Sequence, residues 1–244
     1  MIQTEGIFVG GSAISAPIIG EDFNWSGGDG TYQVLDDGGS NWRIKFLSSG
    51  TFTPLKNMVI DAFLVGGGGG AGSSYCGEGG AGYTTTVRSV VLTANTAYSI
   101  VVGAAGTNGH PTSATTGGET TAFTASAAGG KNTSNGTSSS KRPGGAGGSG
   151  GAGYVSPVAT TTGGTDGGDG TSSATTGGKG QGTTTREFGE ADGTLYASGG
   201  GSNLTATVSN SGNGGRNGIT SIEPADGIVV IRQHKEVAAG DMQS

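Results

Sequence analysis

The sequence is poor in most of what proteins use to do chemistry. A single cysteine, Cys76, rules out a disulfide framework within the chain. Charged residues make up only 12 %, with 12 Lys+Arg against 18 Asp+Glu and a formal net charge of -6. Basic residues this few and scattered cannot line up against phosphates, so no nucleic-acid partner is expected. The one lysine-arginine pair, Lys141-Arg142, sits in a Ser/Thr loop and reads as a solvated turn. The longest apolar run, "MVIDAFLV" (58–65), is far below membrane-spanning length and contains Asp61, so no membrane insertion is expected. The N-terminal "MIQTEGIFVGG" lacks the basic stretch of a secretory signal. No stretch keeps a helical period, which leaves β-structure and turns.

Glycine is what the chain has, 55 residues of 244. Combined with low charge, this is not the composition of a disordered polyelectrolyte. "NWRIKFL" (41–47) alternates, with Trp42, Ile44 and Phe46 on one face and Arg43 and Lys45 on the other. "GTYQVL", "GTFT", "YTTTVRSVVL" and "AYSIVVG" are strand-like too, while 58–65 is apolar on both faces and predicts a central strand. From about Ala127, glycine runs alternate with Thr/Ser/Asn loops until "DGIVVIR" (226–232) restores strand character. That strand should pair with the N-terminal sheet, making the glycine region an anchored insertion. The expected fold is all-β: an antiparallel β-sandwich carrying a bundle of three-per-turn glycine helices. The expected division is an attachment segment (1–40), a base (41–126 and 226–234), a bundle (127–225, joined by 66–82) and a tail (235–244).

In "PGGAGGSGGAG" (143–153), Gly144, Gly147, Gly150 and Gly153 recur every third residue, and Gly145, Gly148 and Gly151 follow one step on. A helix of three residues per turn would carry two bare faces there and span roughly 34 Å. Such a helix makes no internal hydrogen bonds, and each glycine costs about 0.5–1 kcal/mol more to order than alanine. An isolated one would not hold its shape. Several side by side can bond to one another, so ordered glycine runs imply a bundle; a flexible linker and collagen are the other readings of the pattern.

Several motifs imitate catalytic sites. Gly67-x-Gly69-x-x-Gly72 follows a strand like a dinucleotide turn, but "SSYCGEGGAGYTTT" cannot supply the helix that must come next, and Arg88 stands near the acidic position. Ser149 in "GGSGG" matches a nucleophile elbow in letters only, with His110 and His234 as its only histidines. Cys76 has no basic neighbour to activate it. Glu187, Glu190 and Asp192 suggest a glycosidase carboxylate pair, and Asp166 and Asp169 a calcium turn; solvated loop charges are the default for both. No catalytic residue, metal or cofactor is expected.

"SSGTFTP", "VIDAFLVGGGGGAG", "GGAGYTTTVRSVVLTANTAYSIVVGAAG" and the closing "DGIVVIR" resemble the glycine-rich proteins of bacteriophage tails and Firmicutes prophages, from about Trp42 to Arg232. The resemblance implies an antiparallel β-sandwich base of jelly-roll or TNF-like type with a bundle of polyglycine type II helices, although the glycine runs here are shorter and Thr-interrupted. A similar strand-to-glycine transition occurs in anaplastic lymphoma kinase-like receptors, which carry disulfides this chain lacks. The resemblance implies a tail-tip adhesin located in the virion, outside the cell, whose bundle loops meet a bacterial surface glycan or protein. Other tail-fibre or baseplate proteins are the further partners, and the assembly is left open, a homotrimer among the options. A purely structural fibre or decoration protein and an ice-binding protein are the alternatives. If successive glycine runs alternate in direction, the loops after 143–153 and 177–182 share one end and bring together Tyr154, Arg186, Phe188 and Tyr196 as receptor contacts, opposite "TSSATT".

Overall fold

A computed structural model describes residues 16–18, 20–38, 41–73, 76–109, 113–134, 142–154, 161–171, 177–216 and 221–234. Its strands are β1 (Phe23–Trp25), β2 (Tyr32–Gly38), β3 (Asn41–Phe46), β4 (Gly50–Pro54), β5 (Met58–Val65), β6 (Thr84–Leu92), β7 (Tyr98–Val101), β8 (Thr120–Ala122), β9 (Ala125–Ala127) and β10 (Ile228–Gln233). They form two antiparallel sheets, β1-β4-β7-β8-β9 and β2-β3-β10-β5-β6. The chain is an all-β sandwich. Among the described residues the only helical piece is the short 3-10 turn Glu187–Gly189.

Alternation places the core. Trp42, Ile44 and Phe46 of β3 meet Phe23 and Phe52 of the facing sheet, with Ile60, Ala62, Leu64, Val229 and Ile231 beside them. Each such side chain taken from water contributes about 1.5–3 kcal/mol. β5 is buried on both faces, as its apolar positions on both sides predict: Phe63 and Val65 enter a second cluster with Ile228 and Val230 of β10 and with Phe188, Tyr196 and Ala197. β10 lies between β3 and β5 and closes the sheet, with Ile231 opposite Ile44 on one side and Ala62 on the other. The sandwich is wider than the sequence division, since β1 and β2 belong to its two sheets.

β5 runs directly into a glycine arm, 66–72, that occupies the centre of the bundle. The amides of Gly66 and Gly69 donate to Tyr83 and Gly80, those of Gly67 and Gly70 to Gly118 and Thr115, and that of Gly68 to Ala225. Its carbonyls accept in the same rhythm: Gly67 and Gly70 from Gly130 and Thr133, Gly68 and Ala71 from Gly106 and Gly109, Gly69 from Gly215. These bonds measure 2.8–3.1 Å, and the partner changes with every residue and returns at every third. That is the signature of a three-residue-per-turn helix bonded outward in all directions. Arms 76–83, 103–109, 113–118, 128–134, 211–216 and 221–227 surround it, so the bundle draws on the first half of the chain as much as on 127–225. A Cβ on Gly67, Gly68 or Gly70 would overlap the carbonyl of Ala104, Asn213 or Thr107. Glycine is required there by close approach.

The stretch 143–153 is not one helix. The chain bends at 147–149, and the Gly151 amide donates to Gly145 O at 2.8 Å, so 144–146 and 150–153 lie side by side. A triplet repeat specifies side-chain faces but not direction, because no bond within the helix enforces continuity across a bare Gly147-Gly148 step. Ser149 secures the reversal: its carbonyl accepts from Ala81 N and its Oγ from Gly167 N. This added turn changes the parity of every later arm. Tyr154, bonded to Arg142 O, sits at the end away from the sandwich, while Gln181, bonded to Gly148 O and Thr84 N, sits at the sandwich end. The chain after 177–182 therefore emerges at the end opposite Tyr154, while Thr171, which accepts from Gly153 N, lies at the Tyr154 end.

Candidate functional site

The segment 183–197 leaves the bundle at the sandwich end and folds over the outer face of β3, β10 and β5. It is a tied hairpin: Thr185 Oγ1 donates to Tyr196 O at 2.7 Å, Glu187 N donates to Thr194 O at 2.9 Å, and Arg186 bridges Leu195. At its tip Phe188 adopts a left-handed φ of 56°. Packing holds it there. Its ring is 2 % exposed, 6.1 Å from the Phe63 ring and 4.1 Å beneath the Arg232 guanidinium. Tyr196 packs 5.6 Å from Phe63 under the Lys45 ammonium, and its hydroxyl donates to Glu187 Oε2. Burial first, then Glu187, pushes the Tyr196 phenol up from its ordinary value.

The expected receptor residues do not converge. Phe188 and Tyr196 are buried packing residues, presenting no ring to a surface. Arg186 is already engaged, with Nε on Asp166 Oδ2 of the neighbouring 161–171 stretch at 3.2 Å and Nη1 on Gly193 O within the loop at 3.1 Å. Tyr154 stands at the other end of the bundle, and 155–160 lie outside the described residues.

Around the hairpin lies a charge network that spacing did not reveal. Arg43 joins Asp37 (Nε to Oδ2, 2.7 Å; Nη2 to Oδ1, 2.8 Å) to the buried Glu187 (2.7 Å). Asp37 first, then Glu187, holds its guanidinium more firmly protonated than usual. Arg232 grips Glu190 in bidentate fashion at 2.7 and 2.8 Å and sends Nε to Asp61 at 3.2 Å. Asp61 is 1 % exposed and also takes Arg88, His234 and the Ser89 amide. Burial pushes this carboxyl up, but the bonds from His234, the Ser89 amide and Arg232 outweigh it and hold it below its ordinary value. The signal lay in the sequence as one acid within an apolar strand, and in register Asp61 faces Arg232.

Between hairpin and sheet opens a cleft of about 430 Å³, lined by residues of both, among them Asp37, Arg43, Glu190, Asp192, Arg232 and His234. Beside it, Ser89, His234 and Asp61 have the connectivity of a catalytic triad but not its geometry. His234 Nδ1 is 2.6 Å from Asp61 Oδ1, yet Ser89 Oγ lies 3.0 Å from Nε2 and 3.5 Å from Nδ1. Such near-equal distances place Oγ off the in-plane lone-pair axis of Nε2, along which a serine proton must pass. Glu187 and Glu190 each face a guanidinium rather than a partner carboxylate. Asp169 takes Lys179 and Gly180 N, and Asp166 takes Arg186 and Thr184. Among the described residues no three His, Cys, Asp or Glu side chains gather to hold a metal. Cys76 donates to Gly72 O, and burial pushes its thiol up to about 12. Gly67 and Gly69 belong to the central arm, Ser149 is buried in its bend, and His110 lies outside the described residues.

A family described as glycine-rich domain matches residues 47–232. No curated protein matches the chain.

Proposed function

We propose, from the premise that this chain belongs to the glycine-rich domain family, that it is a non-catalytic recognition protein of a phage or prophage tail tip. The observation that supports this reading is a division of labour. The central arm is wholly glycine and alanine, and a Cβ added at any of Gly66 to Gly70 overlaps a neighbouring backbone, so side-chain diversity is confined to the outer arms and the connections between arms. The described arms flanking 74–75, 110–112, 135–141, 155–160, 172–176 and 217–220 all end away from the sandwich, and those connections carry Tyr75, His110, Lys141, Val155 and Ile219 in sequence. A rigid block that tolerates change at one end suits attachment to a variable bacterial envelope glycan or protein.

The test is adsorption of the labelled full chain to a panel of bacterial cells, beside a variant with 155–160 and 135–141 replaced by glycine and serine. Loss of adsorption at unchanged melting temperature supports the reading. A chain that binds no cells yet purifies as a stoichiometric part of tail particles is a structural virion component instead.

A further inference from the structure

We propose that Arg142, at the end of the bundle away from the sandwich, binds an anionic group of the envelope glycan, a phosphate or a carboxylate, with Tyr154 beside it against the adjoining sugar. The inference deepens the recognition reading and rests on it for its biological setting.

Arg142 differs from the other described arginines in that the fold gives its guanidinium nothing to hold. Arg43, Arg88, Arg186 and Arg232 each reach a carboxylate, and Arg216 donates to Leu204 O at 3.1 Å. Acidic residues outnumber basic ones by 18 to 12, so a guanidinium left without an acid runs against the balance of the chain. Among the described residues none bonds to it: Nε is buried without a hydrogen-bond partner, and Glu78 on the adjoining arm forms no pair with it. Nη1 and Nη2 lack a protein partner too, but unlike Nε they are not buried. The half-buried residue is thus covered as far as Nε and opens its terminal fork to solvent.

The backbone fixes where that fork stands. Arg142 opens the arm 142–146, and Pro143 after it biases its backbone to the extended geometry that a glycine helix needs. Its carbonyl accepts from Tyr154 N at 3.1 Å, so the two residues are neighbours on arms that run in opposite directions. Tyr154 is half-buried as well.

The chemistry of the pair narrows the occupant. A guanidinium donates only and keeps its charge, and its planar fork matches two oxygens of a phosphate or carboxylate. A neutral sugar alone would leave that charge unmatched. Arginine and tyrosine are the residues enriched at recognition hot spots, and a tyrosine ring can lie on a sugar face while the guanidinium takes the charge.

The experiment measures binding of the immobilised full chain to phosphomannan, polygalacturonate and unphosphorylated mannan, with single-stranded DNA as a polyanion that is not a glycan. At least one of the two charged glycans should bind fivefold or more tighter than mannan and DNA; whichever it is separates phosphate from carboxylate. Arg142→Gln should weaken that binding fivefold or more at unchanged melting temperature, because the guanidinium has no partner in the fold to lose. Lys179→Gln removes one positive charge near the sandwich end and should leave binding within twofold. The Arg142 Nε–H resonance of the unaltered chain should shift saturably with the same glycan, which decides the matter if Arg142→Gln does not fold. Charged glycans that bind no tighter than mannan, tighter binding of DNA, or an equal loss from Lys179→Gln overturns the proposal. Cell adsorption that survives Arg142→Gln removes the arginine and leaves the recognition role. Charged-glycan binding without adsorption to any cell does the reverse.

Discussion

At Gly147 one methyl group separates a packed bundle from an impossible one. A Cβ there would overlap Ala81 O, a backbone atom that cannot rotate away, whereas at Gly168 the nearest contact is Thr165 O at 3.1 Å. Gly147→Ala should therefore destabilise by about 3 kcal/mol or more, with Gly168→Ala within about 1 kcal/mol of the parent, as read by chemical denaturation. Equal midpoints would remove close approach as the reason for glycine. Asp61 makes a pH prediction. Its folded carboxyl is held below the ordinary value, so its stabilisation is present above the unfolded pKa of about 4 and is lost as pH falls through the lower folded value. Asp61→Asn should cost on the order of 3 kcal/mol at neutral pH by removing the buried carboxylate that Arg232, Arg88 and His234 share, and should flatten the acid limb of the stability curve. An unchanged acid limb would show that other carboxylates set it. The sequence displays Asp61 plainly; its meaning required the register that brings Arg232 opposite.

Elements differ in how much their sequence discloses. β10 was legible because alternating Val and Ile after a long glycine excursion has one economical use, and the strand fills the gap between β3 and β5. Truncation after Gly218 removes a central strand from a core it shares with Ile44 and Ala62, and should abolish cooperative unfolding. A truncated chain that melts like the parent would contradict the topology. The 144–153 hairpin was illegible for the opposite reason: a glycine helix writes its faces into sequence but not its reversals. The 183–197 segment was half legible. Its aromatics and arginine were visible, but they read as a surface until the second core cluster showed Phe188 and Tyr196 covering Phe63. Phe188→Ala should cost about 3–5 kcal/mol, and any loss of cell adsorption should track the fall in melting temperature. Adsorption lost from a variant of parental stability would return Phe188 to the recognition surface.

For the whole molecule, sandwich and bundle form one folding unit. β5 continues without a break into the central arm, the last arm feeds β10, and arms 76–83, 103–109, 113–118 and 128–134 each begin or end at a sandwich strand. The composition told of glycine order but could not tell this interleaving, because the early arms are short and look like loops between strands. Its consequence is thermodynamic. The arms have no internal hydrogen bonds, so one cannot persist when its neighbours leave, and the central arm has neighbours from both ends of the chain. Each lattice bond contributes on the order of 1 kcal/mol net, against an ordering cost for glycine larger than for any other residue. The balance favours order only while many arms are bonded at once. Calorimetry should therefore show one transition whose van't Hoff and calorimetric enthalpies agree. Hydrogen exchange should protect the amides of Gly67, Gly68 and Gly69 as strongly as those of Phe63 and Leu64 in the adjoining strand, since all open only by global unfolding. Two transitions, or glycine amides exchanging orders of magnitude faster than β5, would make the bundle a separable appendage and not the continuation of the core.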